Sequence, residues 1–269
     1  MSPTTTIGGK RPGWTFAITS TAVFMTSLDN LVVTMALPNI RAHLHATLGG
    51  LEWTVSAYTL TFAAFLLTGA TLGERFGRRR MFVAGLSVFT LGSAAAALAP
   101  NIDVLILARA AQGFGAAVVT PITLTLLAGA VSLERRALAL GAWGAIAGLA
   151  VALGPVVGGA IVQGASWQWI FWLNVPIGIA LVPLAYARLG ESRGTANSLD
   201  LGGLVLGSAG LFGAVFALVR TTSVGWSSPE VLGPLTAGLL LLVSFVLYER
   251  RAPEPMLPLR LFRNRGFSA

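Results

Sequence analysis

Cysteine is absent from this chain of 269 residues, and charged residues are scarce. Without cysteine the chain cannot form disulfides, thiolate metal sites or a cysteine nucleophile. Only 10% of the residues are charged and 55% are hydrophobic, with a mean hydropathy of +0.77, whereas an ordinary globular protein has roughly 25% charged residues. So few charges cannot cover a water-facing surface, and the high apolar content excludes intrinsic disorder. The composition therefore indicates a protein of the lipid bilayer.

Long apolar runs are abundant, and eight of them approach the length of a membrane span. A bilayer-spanning helix needs about 20 mostly apolar residues, and the segments between the runs carry Gly, Pro, Arg or Asn, as turns do. Because backbone polar groups in lipid must be paired within each segment, the runs are predicted to be helices. The predicted spans are Trp14–Ala36, Trp53–Gly73, Met81–Ala99, Val104–Ala130, Ala137–Val162, Trp169–Ala187, Leu201–Val219 and Val231–Tyr248.

The basic residues fall almost entirely at the N-terminus and in alternate connections between the spans. Of the 18 Lys and Arg residues, only Arg41, Arg109 and Arg220 lie elsewhere. By the positive-inside rule, the basic connections face the cytoplasm. We therefore expect a multi-pass protein of the cytoplasmic membrane with both termini in the cytoplasm. Topology accounts for the net charge of +8, and no nucleic-acid partner is expected.

Two charged residues lie inside predicted spans, Asp29 in the first and Arg109 in the fourth. A charge at the bilayer centre costs about 2.5 kcal/mol or more, so such residues are candidates for function. At a rise of 1.5 Å per residue, Asp29 lies about 22 Å from the inner end of its span, and Arg109 lies about 7 Å from the outer end of its own. In a core about 30 Å thick these depths are similar. The two charges are therefore expected to compensate each other if their helices are neighbours.

A pair of Asp29 and Arg109 has two interpretations. In the functional one, Asp29 is a titratable carboxylate whose proton affinity is tuned by the guanidinium, and its protonation is coupled to a conformational change or to a cationic substrate. In the other, the two residues form a structural ion pair that locks two helices together. Gln112 lies three residues after Arg109, on the same helix face, and belongs to the same candidate site.

The connection between the second and third predicted spans, Leu72–Arg80, combines glycines, an acid and a run of arginines. The glycines allow a tight turn, and the arginines are suited to hold it at the anionic inner leaflet. An anchor alone would need the arginines but not the interleaved glycines and acid, so this segment is a candidate gating loop. Its candidate residues are Gly73, Glu74, Arg75, Gly77, Arg78, Arg79 and Arg80.

The fifth predicted span contains a glycine-rich motif formed by Gly154, Pro155, Gly158 and Gly159. Gly154 and Gly158 are spaced so that another helix can approach closely. Pro155 removes one backbone hydrogen bond and favours a kink. Taken alone, this is a common helix-packing motif.

In their order along the chain, these segments resemble the motifs of the major facilitator superfamily, and within it those of the 14-helix drug:proton antiporters. The resemblance covers most of residues 14–180. Glu74 departs from the usual Asp of the loop motif, and Leu31 from a usual Thr. The matching residues are Leu28, Asp29 and Ala36–Pro38; Leu72–Arg80; Leu105, Arg109, Gln112, Gly113 and Gly115; Gly154, Pro155, Gly158 and Gly159; and Trp167–Phe171 with Asn174–Pro176.

This resemblance implies an all-α polytopic membrane protein of the major facilitator fold, with two six-helix bundles, two extra helices between them and rocking-bundle alternating access. The chain would supply the N-terminal six-helix bundle and the two extra helices. The C-terminal bundle would be absent, and a partial or truncated sequence is expected. The implied domains are a cytoplasmic tail at 1–13, the six-helix bundle at 14–190, an inter-bundle region with two spans at 191–250 and a cytoplasmic lead-in to a ninth helix at 251–269.

The function implied by the resemblance is proton-coupled export of drugs, antibiotics or similar amphipathic organic compounds. Export of a specific metabolite is one alternative, and a truncated, non-transporting membrane protein is another. The expected partners are the lipid bilayer, a small-molecule substrate and protons. The sequence offers no nucleophile–base pair and no metal-binding cluster, so we expect no enzymatic activity, no cofactor and no metal.

Overall fold

The computed structural model describes residues 12–194 and 200–251, and these residues form nine α-helices with no strand among them. Eight segments are long and apolar enough to cross a membrane, because the short α6 and α7 together make one span, Trp169–Arg188. The eight predicted spans are thereby confirmed. The helices are α1 (Pro12–Leu44), α2 (Leu48–Phe76), α3 (Arg78–Ala97), α4 (Ile102–Ala130), α5 (Leu133–Gly164), α6 (Trp169–Trp172), α7 (Asn174–Arg188), α8 (Leu201–Val224) and α9 (Pro229–Glu249).

Parts of the predicted domain organisation fall on residues that the structure does not describe. These are most of the N-terminal tail (1–11), a stretch between α7 and α8 (195–199) and nearly all of the lead-in to a ninth helix (252–269). The predicted boundaries there lie outside the described residues.

Helices α1 to α7 pack into one bundle with α4 near its centre. α4 contacts α2 and α3 along much of its length and also contacts α1, while α1 packs along α5 and α3 along α7. Buried apolar side chains form two clusters, one containing Met25, Phe82 and Ile122 and the other containing Val32 and Leu105. Along α1 the two clusters meet between Met25 and Leu28, immediately before Asp29.

Helices α8 and α9 form a hairpin that packs on the bundle through α2. The hydroxyls of Thr68 in α2 and Ser208 in α8 form a hydrogen bond of 2.9 Å. About four turns closer to the start of α2, the ring centroids of Trp53 and Phe216 are 5.7 Å apart. The two helices expected between the bundles therefore rest on α2 of the first bundle.

Several predicted span boundaries are wrong by more than one turn. α1 continues through Pro38 to Leu44, because proline is tolerated within membrane helices whose neighbours pair the freed backbone groups. The predicted gating loop is almost entirely helical, since α2 extends to Phe76 and α3 begins at Arg78. The sixth span is interrupted at Leu173, where Pro176 has no N–H with which to continue the helical hydrogen bonds.

Close contact between α2 and α4 depends on Gly69. A Cβ at this position would collide with the carbonyl oxygen of Ala117 and lie 2.7 Å from Val118 Cα. Both are backbone atoms of α4, so a side chain at position 69 requires the two helices to separate.

We predict that Gly69→Ala lowers the stability of the bundle, by about 1–3 kcal/mol as for other overpacked positions. Gly144→Ala is the matched control, because nothing lies within 4 Å of a Cβ at Gly144 in α5 and alanine favours a helix by roughly 1 kcal/mol over glycine. Thermal unfolding of both variants in detergent measures the difference. Equal melting temperatures for the two variants would contradict the close α2–α4 contact.

Candidate functional site

Asp29 and Arg109 contact each other in the middle of the bundle. Nη1 of Arg109 donates a hydrogen bond to Oδ2 of Asp29, and both side chains are completely buried. Removing two ions from water costs several kcal/mol for each, and their mutual attraction offsets this only when their other polar atoms are also paired. The surroundings of the pair therefore determine whether it is stable.

Amide side chains from two helices pair the second oxygen of Asp29. Gln112 Nε2 donates to Oδ1 over 3.1 Å, and Asn174 Nδ2 donates to the same oxygen over 2.6 Å. Gln112 also accepts from Arg109 Nη1 through its Oε1 at 3.1 Å. Asn174 donates in addition to Ser93 Oγ at 3.0 Å. The carboxylate thus accepts hydrogen bonds from three side chains, those of Arg109, Gln112 and Asn174.

Arg109 is further held by α2 and by aromatic rings. Its Nε donates to the carbonyl oxygen of Thr54 over 3.3 Å. Its Cζ lies 4.4 Å from the ring centroid of Tyr58 and 5.9 Å from that of Phe171, distances at which a cation is attracted to a ring face. One guanidinium nitrogen, Nη2, has no hydrogen-bond partner within the described part of the chain.

The network is assembled from the ends and middles of different helices. Asn101 caps the start of α4, because its side chain accepts from Val104 N at 3.0 Å, and Arg109 and Gln112 follow in α4 on the same face one turn apart. Asn174 is the first residue of α7, directly after the interruption at Leu173. α1 supplies Asp29 and α3 supplies Ser93, so four helices provide the polar side chains.

A cavity of about 210 Å³ lies beside this network, between α1, α2, α4 and α5. None of its lining residues is charged. Two polar atoms of lining residues, Asn30 Oδ1 and Trp143 Nε1, are buried and have no hydrogen-bond partner among the described residues. The lining residues are Val23, Thr26, Ser27, Asn30, Tyr58, Thr59, Phe62, Thr120, Trp143 and Ala147.

The order of the helices and the buried charge pair can be compared with known protein families. Residues 19–192 match the family model described as Major Facilitator Superfamily. This match covers more than half of the chain. The chain belongs to the Major Facilitator Superfamily.

Curated relatives within the superfamily are named for antibiotic resistance and export. The chain is 42% identical over 246 residues to the methylenomycin A resistance protein of Bacillus subtilis (strain 168), covering 91% of this chain and 53% of the relative. It is 35% identical over 261 residues to the tetracenomycin C resistance and export protein of Streptomyces glaucescens, covering 96% and 48%. The chain therefore spans about half the length of the curated relatives it matches.

A solved structure shows the same fold at low sequence identity. The crystal structure of the peptide transporter POT in its E310Q form, in complex with sulfate, has a TM-score of 0.65 to this chain at 15% identity. The match covers 88% of this chain and 52% of the transporter. At this identity the likeness shows the major facilitator fold and nothing further about function.

The arginine-rich turn of this superfamily member, residues 72–80, is organised by Gly77 and Glu191. Gly77 separates α2 from α3 with a φ of +105°, a region that favours glycine, and a Cβ there would lie 2.6 Å from Glu191 Oε1. Glu191 Oε1 accepts from the backbone N of Arg79 at 3.1 Å, while its Oε2 lies 3.7 Å from Nε of both Arg79 and Arg80. Glu191 therefore caps the start of α3.

The remaining residues of this segment stabilise helices rather than a loop. Glu74 Oε1 accepts from Arg78 Nη2 at 2.6 Å, one helical turn apart. The Cζ of Arg75 lies 5.5 Å from the ring centroid of Phe76. Gly73 lies inside α2, where a Cβ would be 2.8 Å from Ile122 Cγ1 of α4, so it allows helix packing and does not form the turn.

The glycine-rich motif of α5 faces α1 at two of its positions. A Cβ at Gly154 would lie 2.7 Å from Leu31 Cβ, and one at Gly158 would lie 3.0 Å from Met35 Cβ. These two glycines allow close packing of α5 on α1. Pro155 is exposed, and nothing lies within 4 Å of a Cβ at Gly159, so these two positions point away from α1.

Four residues around these sites were not identified as site residues from the sequence. Tyr58, Ser93 and Asn174 are uncharged residues in apolar spans, and Asn174 was noted only as part of a family motif. Glu191 lies three residues after the end of a span, at Arg188, and belongs to no recognised motif. The one available signal was chemical: Asn174 is an amide within an apolar span, where unpaired polar groups are costly.

We predict that Asp29→Leu destabilises the protein by about 3–5 kcal/mol, since it leaves Arg109 buried without a counter-charge. The double variant Asp29→Leu with Arg109→Met should recover most of this loss, because apolar side chains of similar volume often replace a buried pair without cost. Thermal unfolding in detergent measures both. A double variant as unstable as the single one would contradict a compensated pair.

The ion pair of Arg220 and Glu230 offers a control for this experiment. Its side chains are 28% and 58% exposed, and exposed pairs contribute about 0–1 kcal/mol. Glu230→Gln is therefore expected to shift the melting temperature far less than Asp29→Leu.

Proposed function

We propose that the protein exports drugs, antibiotics or similar amphipathic organic compounds across the cytoplasmic membrane in exchange for protons. The observation that carries this proposal is the buried, fully hydrogen-bonded Asp29 in contact with Arg109, beside a cavity with no charged lining residue. Ionisable residues within the membrane mark proton and ion pathways in transporters.

Protonation of Asp29 would change the whole network. A protonated carboxyl gains an O–H donor and loses its charge, so Arg109 would remain as a buried cation without a counter-ion, an arrangement that is strongly unfavourable. The amides of Gln112 and Asn174 both donate to Oδ1 and would have to rearrange as well. Proton binding therefore favours a second arrangement of α1 relative to α4 and α7, which is what alternating access requires.

The cavity provides a surface for an amphipathic ligand. Val23, Phe62 and Trp143 supply apolar lining, and Ser27 and Asn30 are polar lining residues. The volume of about 210 Å³ is below the roughly 300–1,000 Å³ of complete ligand pockets. We propose that this cavity is one wall of the substrate path. The names of the relatives, resistance to methylenomycin A and export of tetracenomycin C, support small organic antibiotics as substrates.

The gating and antiporter motifs receive roles in the same proposal. The positive-inside rule assigns the turn at Gly77 to the cytoplasmic side, where Glu74 and Glu191 hold the arginines. These pairs are partly exposed to solvent, so breaking and re-forming them requires less energy than for a fully buried pair, which suits a gate. Gly154 and Gly158 let α5 lie against α1 without interlocking side chains, which suits helices that move past each other.

We predict that Asp29→Asn abolishes proton-driven accumulation of ethidium in everted membrane vesicles and leaves membrane insertion intact. The amide of Asn has the same shape as the carboxyl group, but it does not take up a proton in the pH range of the assay. Fluorescence of the dye after acidification of the vesicle lumen measures transport, with this chain and with a chain extended to the length of its relatives.

Asp103→Asn serves as the matched control, because it makes the same chemical change at an exposed position in the first turn of α4. Transport in this variant should equal that of the wild type. Proton-driven transport that persists in Asp29→Asn would rule out the coupling role of Asp29.

Export of one specific product is a second candidate function, favoured by the names of two relatives. One is the tetracenomycin C resistance and export protein, and another, 41% identical over 91% of this chain, is the cephamycin export protein CmcT of Amycolatopsis lactamdurans. A dedicated exporter would transport one compound and not its structural analogues. We expect instead that several unrelated aromatic compounds compete with ethidium in the vesicle assay, and failure of all of them to compete would favour the dedicated exporter.

A further inference from the structure

Tyr58 lies between the cavity and the buried ion pair. Tyr58 is one of the residues that line the cavity, and the centroid of its ring is 4.4 Å from Arg109 Cζ. Asp29, Arg109 and Gln112 are not among the residues that line the cavity. A ligand in this cavity therefore touches the aromatic ring that covers the guanidinium, without touching the guanidinium itself.

The position of the Tyr58 ring is fixed by three different neighbours. Its hydroxyl donates to the carbonyl oxygen of Thr26 in α1 over 3.2 Å. Its ring lies parallel to that of Phe62, with an interplanar angle of 3° and centroids 6.3 Å apart. Its contact with Arg109 joins α2 to α4. Tyr58 is therefore positioned by α1, by the charge pair and by the wall of the cavity together.

From this geometry we infer that Tyr58 is the positioning residue through which an occupied cavity favours the ionised form of Asp29. The inference rests on the proposed proton-coupled export. A ligand packed on the cavity side of Tyr58 favours the ring position that covers Arg109, and this position keeps Arg109 on Asp29. Because such coupling is reciprocal, the ligand lowers the affinity of Asp29 for a proton, and a proton on Asp29 lowers the affinity of the cavity for the ligand.

The groups that surround Asp29 leave few other sources of pH dependence at this site. Among the described residues, α4 presents the charged Arg109 and the neutral Gln112, and α2 presents Tyr58. α3 and α7 present the neutral Ser93 and Asn174. The short α6 presents the ring of Phe171. Asp29 is thus the one carboxylate of this described network.

The test measures how the affinity for ethidium depends on pH. Ethidium keeps its positive charge at every pH used, so any pH dependence belongs to the protein. The purified chain in lipid nanodiscs is titrated with ethidium, and Kd is obtained from dye fluorescence. In the wild type, affinity should weaken as pH falls through the range in which Asp29 takes up its proton, by up to about tenfold per pH unit for one exchanged proton.

Substitutions at Tyr58 separate the positioning role from binding. Tyr58→Leu removes the ring and should reduce the pH dependence to less than about twofold per pH unit, measured at pH values where ethidium still binds. Tyr58→Phe keeps the ring over Arg109 and should keep the wild-type pH dependence. Tyr58→Met, an unbranched apolar residue, is the second ring-removing variant in case Tyr58→Leu does not fold.

Phe62→Leu is the matched control for these variants. Phe62 lines the same cavity, and the contacts of Tyr58 with Thr26 and Arg109 remain when Phe62 is replaced, so this change should weaken ethidium binding at all pH values but retain the pH dependence. Retention of the wild-type pH dependence in Tyr58→Leu or Tyr58→Met would overturn the role of Tyr58 but not the proposed proton coupling. Loss of the pH dependence in Phe62→Leu, to the same degree as in the Tyr58 variants, would also overturn that role. A wild-type chain whose ethidium affinity does not change with pH would overturn the proposed coupling and this inference together.

Discussion

The buried pair of Asp29 and Arg109 constrains the arrangement of the whole bundle. Neither charge can be hydrated at its position, and an unpaired ion there would cost several kcal/mol. Each helix that contacts the pair must therefore present a polar group at one particular height and rotation. α4 presents Gln112 and α7 presents Asn174. Apolar packing alone tolerates small rotations of a helix, whereas this network does not, so the charge pair fixes the register of α1, α4 and α7.

The same constraint separates two kinds of chemistry within the bundle. Asp29 and Arg109 lie in the network, whereas the described residues that line the cavity are apolar or neutral polar. An uncharged wall suits compounds that partition into lipid, because it does not require a charged partner on the ligand. The side chain of Tyr58 touches both regions. Tyr58 therefore connects the charge network to the cavity, although the two regions are chemically distinct.

The sequence predicted the spans and the approach of Asp29 to Arg109, because both follow from lengths along a helix axis. It did not predict Tyr58, Ser93 or Asn174 as partners, since contacts between helices depend on rotation about that axis. Hydroxyls in a span commonly bond to their own helix, as Thr19 does to the carbonyl oxygen of Thr15. Nothing local distinguishes Ser93, whose hydroxyl instead donates to the carbonyl oxygen of Phe171 on α6. Helix ends were misplaced where glycine or proline was interpreted as a break.

Two helix pairs in this bundle are joined in physically different ways. α3 and α7 are joined by polar contacts at both ends, with Asn174 bonded to Ser93 and Arg79 bonded to the carbonyl oxygen of Tyr186. α1 and α5 meet mainly through small residues and apolar contacts such as that of Gly154 with Leu31. Sliding α7 along α3 would break hydrogen bonds at two places at once, whereas sliding α5 along α1 exchanges one apolar contact for another. The polar contacts on the α3–α7 side therefore oppose sliding of these two helices. The α1–α5 side, which includes part of the cavity wall, opposes sliding less.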